Sequence, residues 1–95
     1  MIELSCRRVV FLSAGDEAAF FAWVGGIEGV RGIVGDGDTI RVQVPHLLSD
    51  ASLRELLAVF CRYDIDMTQL AQFASASNAA WFTEPNSYWH ERVFR

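Results

Sequence analysis

At residues 39–44 the chain alternates polar and apolar without a break: Thr39, Arg41 and Gln43 against Ile40, Val42 and Val44. That is the pattern of a strand with one face buried and the other in water. Residues 2–12 carry a looser version, with Ile2, Leu4, Cys6, Val10 and Leu12 on one face and Glu3, Ser5, Arg7, Val9 and Phe11 on the other. Arg8 falls on the apolar side of that count, which predicts a bulge near the Arg7-Arg8 pair in preference to an arginine at the edge of the core. A further strand over 30–35 joins 39–44 through Asp36-Gly37-Asp38, a hairpin turn signal. Residues 65–73 read as a fourth strand, although Gln69 interrupts the apolar parity.

Two segments have helical spacing instead. Ser13 supplies an N-cap hydroxyl and Asp16 a carboxylate for a helix over 15–24, whose apolar positions Phe20, Trp23, Val24 and Ile27 recur at helical intervals. Gly25 and Gly26 end it, since glycine accepts the left-handed conformation common at helix C-termini. Ser49 caps a second helix with Leu48 and Leu53 in staple spacing and a stripe of Leu53, Leu56, Leu57, Phe60 and Cys61. Residues 74–95 change character, and two short helices are expected there: Ser77 caps a turn bearing Trp81 and Phe82, and Pro85 opens a segment with Tyr88, Trp89 and Val93.

The order strand, helix, strand, strand, helix, strand resembles the ferredoxin-like α/β plait, βαββαβ. The fold class expected is α+β: a four-stranded antiparallel sheet with two helices on one face over residues 1–73, plus a short aromatic helical extension over 74–95. The whole chain of 95 residues is short enough for a single domain, 1–95. With 52% apolar and 21% charged residues it has the material for a core.

Charge narrows the chemistry. Eight basic residues, all arginine, face twelve acidic ones for a net charge of −4, so no basic face for phosphates is expected and nucleic acid is not a partner. The lack of lysine excludes Schiff-base chemistry and the phosphate-loop lysine. The longest apolar run, residues 18–27, is half of the roughly 20 residues a membrane span needs and reads as a core helix. No signal peptide is recognisable, so a cytoplasmic location without membrane contact is expected, with Cys6 and Cys61 as buried free thiols.

Catalytic and metal motifs fail on context. Gly26, Gly29, Gly32 and Gly35 recur every third residue, but a helix precedes them and a hairpin follows, the reverse of a dinucleotide loop. The Asp36/Asp38 and Asp64/Asp66 pairs lack the further ligands of a calcium loop and read as turn residues. His90-Glu91 begins like a zinc-protease motif, yet Phe94 stands where the second histidine belongs. No catalytic residue, metal ligand or cofactor is therefore assigned, and no enzymatic activity. The candidate binding residues are Arg7 and Arg41, expected as neighbours on the outward sheet face among Glu3, Gln43 and Asp66, and Trp89 and His90 in the aromatic tail. Val9, Phe11 and Leu70 add apolar anchors to that face. The function expected is a small cytosolic interaction module, self-associating as a homo-oligomer or binding another protein through the sheet face and tail. The alternative is a small-ligand-binding domain or cofactor-independent enzyme of the dimeric plait type, with Arg41 or His90 orienting an anionic organic ligand.

Overall fold

The alternating segment becomes the middle of the sheet. The computed structural model describes residues 1–94; Arg95, the last residue of the predicted extension, lies outside the described residues. It contains β1 (Ile2–Arg7), α1 (Ala14–Gly25), β2 (Gly32–Asp36), β3 (Thr39–Val44), α2 (Asp50–Arg62), a 3-10 helix (Thr68–Phe73), α3 (Ala79–Phe82) and α4 (His90–Val93). The strands form one antiparallel sheet in the order β1-β3-β2. Leu4, Cys6, Val42 and Val44 face inward, as their parity predicts, and share a core with Phe20 and Val24 of α1 and Leu53, Leu56, Leu57 and Phe60 of α2. Ser13 and Ser49 cap the two long helices: Ser13 Oγ accepts from Asp16 N–H and Ser49 Oγ from Ser52 N–H, each at 3.1 Å.

The four-stranded plait is not formed: the sheet has three strands, and residues 65–73 are not one of them. The buried residues there are Ile65, Met67, Leu70 and Phe73. From Met67 onward they fall every third residue, the repeat of a 3-10 helix and not the two-residue repeat of a strand. Asp66 starts the bend, its Oδ1 accepting from Thr68 N–H at 3.0 Å and from the Thr68 hydroxyl at 2.7 Å.

Losing the fourth strand makes β1 an edge strand, and Gln69 covers it. Its Oε1 accepts from Ser5 N–H, and its Nε2 donates to Ser5 C=O, both at 2.9 Å. A primary amide side chain thus supplies the donor and acceptor that one residue of a paired strand would have supplied. A third bond, Nε2 to Asp66 C=O at 2.8 Å, holds the amide in place.

β1 also ends earlier than its apolar pattern implies. Arg8 has φ 53, a left-handed conformation unusual for a side chain of its size, and takes the place of the predicted bulge. The turn reverses parity, so that Val9 and Phe11 pack against the core while Val10 and Leu12 are 72% and 87% exposed. At the end of α1, Gly26 stays right-handed at φ −85; the glycine that needs its freedom is Gly29, at φ 98, where a Cβ would lie 3.3 Å from Leu48 Cδ2.

The tail forms two short helices, with Asn78 in place of Ser77 at the N-cap of α3 and with α4 preceded by Trp89, so that Pro85 does not open it as predicted. The buried Asn78 amide donates to Phe73 C=O at 2.8 Å and accepts from Ser75 N–H at 2.9 Å. Trp89 Nε1 donates to Phe82 C=O at 2.7 Å, fastening α4 to α3.

Two outcomes follow. Gln69→Ala leaves the Ser5 N–H and C=O without protein partners and should lower stability by about 1–2 kcal/mol, with hydrogen exchange at the Ser5 amide accelerating out of proportion to the rest of β1. The Cys6 thiol, ordinarily near 9.0, is pushed up to about 12 by burial. The folded chain keeps a proton that the unfolded chain releases, so this contribution is intact below about pH 9 and is lost as pH climbs toward 12. Urea midpoints measured from neutral pH upward should therefore fall more steeply for the native chain than for Cys6→Val.

Candidate functional site

The sheet's outward face carries Glu3, Ser5 and Arg7 from β1, Thr39, Arg41 and Gln43 from β3, and Gly32, Val34 and Asp36 from β2. Arg41 sits at the centre of this face, level with Ser5 on one side and Val34 on the other. Its Nη2 lies 3.2 Å from Asp36 Oδ2 and its Nη1 3.8 Å from Glu3 Oε1; Asp36, and not the expected Asp66, is the second partner. The guanidinium is thus engaged by carboxylates of its own chain. Arg7 is exposed on the same face and lines a cleft with Ser5, Asp66 and Gln69.

The tail residues are elsewhere. Trp89 is buried, with edge-on ring contacts to Trp81 and Tyr88 at 5.9 and 4.8 Å. Half-buried His90 lies 5.5 Å from the Phe94 ring and lines a separate cleft with Glu91, Arg92 and Phe94; its Nδ1 is buried with no hydrogen-bond partner. The cleft lined by Arg7 contains no tail residue, and the cleft lined by His90 contains neither arginine of the pair. The proposed apolar anchors also turn away from the outward face: Leu70 is fully buried, and Val9 and Phe11 pack against the core.

The backbone offers a feature that side-chain reading missed. Arg8 N–H donates to Asp38 C=O at 2.8 Å, so the peptide groups of Leu4 and Cys6 point at β3 and those of Glu3, Ser5 and Arg7 point outward. By the same alternation Thr39, Arg41 and Gln43 pair with β2, and Ile33 and Gly35 turn their N–H and C=O groups to the outer edge of β2. No hydrogen bond covers them among the described residues. One edge of the sheet is covered at its midpoint by a side chain, and the other is open. Beside the open edge, α1 contacts β2, with a Cβ on Gly25 falling 3.6 Å from Ile33 Cδ1.

A second missed cluster joins α2 to the tail. Arg92 Nη2 lies 2.7 Å from Asp64 Oδ1, and Arg92 Nη1 donates to Cys61 Sγ at 3.5 Å. Cys61, expected to be buried, is half-buried and borders a cleft with Ala58, Arg62 and Tyr88. A third cleft, about 350 Å³, lies between Arg8, Val10, Leu12 and the Asp16–Tyr63 hydrogen bond of 2.9 Å. That bond to a carboxylate raises the Tyr63 phenol above its usual range. Among the described residues no group of three or more His, Cys, Asp or Glu side chains is placed to hold a metal ion, and no helix is long and apolar enough to cross a membrane.

The two thiols should be told apart by a maleimide reagent at neutral pH: Cys61 reacts in the folded protein, and Cys6 reacts only after denaturant is added. Intact-mass measurement should give one adduct per folded chain, at Cys61 by peptide mapping.

Compared with family models, curated proteins and solved structures, the chain matches none.

Proposed function

We propose that this chain is a small cytosolic protein-interaction module that self-associates by strand addition along the open edge of β2. The inequality of the two sheet edges carries the reading. Exposed strand edges are templates for pairing, and proteins cover the ones they do not use. Here β1 is covered at its middle residue, Ser5, by Gln69, while neither Ile33 nor Gly35 on β2 has a partner for its outward peptide groups among the described residues.

Helix α1 supports the same surface. From Ala18 to Gly25 it carries no charged residue, yet Ala18, Ala19 and Ala22 are exposed. A helix that is apolar on all sides is ordinarily covered on all sides, and α1 packs against β2. Trp89 and Phe82 lend less support to a contact through the aromatic tail, because both are buried and joined to each other within the chain. A small anionic ligand finds less support, since Arg41 already holds two carboxylates.

Gly35→Pro tests the reading with little cost to the isolated chain. Proline removes an N–H that bonds to nothing within the described residues, and a Cβ at this position meets no atom within 4 Å. In sedimentation equilibrium the native chain should associate at micromolar concentration and Gly35→Pro should remain a monomer with unchanged circular dichroism. A native chain that stays monomeric into the high micromolar range would rule strand addition between copies out.

A further inference from the structure

We infer that the partner at the β2 edge is a second copy of β2, running antiparallel across a twofold axis at Val34; this deepens the reading above and rests on it. Three features of the strand fit this register, and the first and third fit no like-for-like parallel one. First, the outward peptide groups belong to Ile33 and Gly35, which are two residues apart. About a twofold axis at Val34, Ile33 of one copy lies opposite Gly35 of the other, so each outward N–H meets an outward C=O and both pairs close. Second, Val34 is the exposed apolar side chain of the outward face, at 52%. The axis places it against its own counterpart, in the closely spaced type of antiparallel pair. On the inward face the half-buried Ile33 would meet Gly35, where a side chain finds open space.

Third, the charges along the strand are polar in direction. Arg31 precedes β2 and makes no ion pair among the described residues, while Asp36 and Asp38 stand at its far end, each also reached from within the chain, by Arg41 at 3.2 Å and Arg8 at 3.4 Å, through exposed pairs that leave carboxylate oxygens for a second cation. Antiparallel pairing sets Arg31 of one copy level with Gly37 of the other, between those two aspartates. A parallel arrangement would instead set arginine beside arginine and aspartate beside aspartate. The twofold repeats the favourable contact, and the result is a continuous six-stranded sheet, β1-β3-β2 followed by the same strands in reverse.

Cross-linking reads the register directly. Val34→Cys, placed in a Cys61→Ser background, puts two thiols on opposing residues whose Cα atoms are about 4.5 Å apart in such a pair, within the reach of a disulfide. Mild oxidation should convert the variant to disulfide dimer. Asp36→Cys in the same background should not cross-link, because its counterpart lies about four residues away along the strand, roughly 14 Å. Arg31→Glu should weaken association about fivefold or more by placing like charges together, and added salt should shrink the difference.

A native chain that associates, is made monomeric by Gly35→Pro, and yet fails to cross-link through Val34→Cys would overturn the twofold register while leaving strand addition standing. Cross-linking of Asp36→Cys in preference to Val34→Cys would overturn it equally. A native chain that never associates removes the proposed function itself.

Discussion

A peptide group taken out of water needs a hydrogen-bond partner, and a sheet of three strands has two borders on which that demand is not met by its own ladder. At Ser5, midway along the β1 border, Gln69 meets it. Its side-chain amide is chemically a peptide group without a chain on either side, so the reciprocal 2.9 Å bonds to Ser5 reproduce one residue of antiparallel pairing. The remainder of the chain is placed by that contact. Asp66 turns the backbone so that Gln69 reaches Ser5, and the same turn directs Met67, Leu70 and Phe73 into the core. Phe73 C=O then accepts from Asn78, which precedes α3, and α3 accepts the indole N–H of Trp89. A fourth strand would have satisfied more of the β1 edge, but its two-residue repeat would have pointed Gln69 at the hydrophobic layer.

How far the fold could be read from sequence depended on whether local chemistry and tertiary demand agreed. At 39–44 they agree: strict alternation, a glycine turn before and Pro45 after, and the strand bounds match. Ser49 and the stripe of α2 agree as well, because cap, dipole and burial all act within one helix. At 2–12 they do not. β-branched and apolar density suggested a long strand, yet Arg8 leaves the extended region, and each later side chain changes face. At 65–73 the needed signal was present, since 67, 70 and 73 have a spacing of three and Gln69 breaks any alternation. Short apolar runs of this kind satisfy either period, and only the presence or absence of a strand-pairing partner separates them.

The candidate site was legible only in its halves. Parity placed Arg7 and Arg41 on the outward face, where they are, and the tail's aromatics were recognised as a cluster. Parity says nothing about which carboxylates lie within reach across a sheet, and Asp36 occupies Arg41 because β2 lies next to β3. Nor does composition tell whether a tryptophan-rich tail closes its own core or another's. The indole of Trp89 resolves this by finding its acceptor, Phe82 C=O, within seven residues. The open edge of β2 was invisible for a different reason: it is made of backbone, and peptide groups carry no residue code.

Unequal edges limit what an assembly of this chain can become. A subunit with two free edges of different sequence can pair head to tail, β2 on β1, and such a contact repeats without closing. Covering β1 at Ser5 hinders that route at the middle of the strand, although the outward groups of Glu3 and Arg7 stay uncovered. In the proposed pairing β2 would meet β2 about a twofold axis, each copy would spend that edge, and growth there would stop at two. In that pairing the Gln69 amide would do more than satisfy Ser5, since it also obstructs the centre of the β1 edge against a second strand. In the proposed dimer the five residues of β2 would give a short ladder, and the opposed charges of Arg31 and the aspartates would favour a partner that carries the same sequence in the opposite direction.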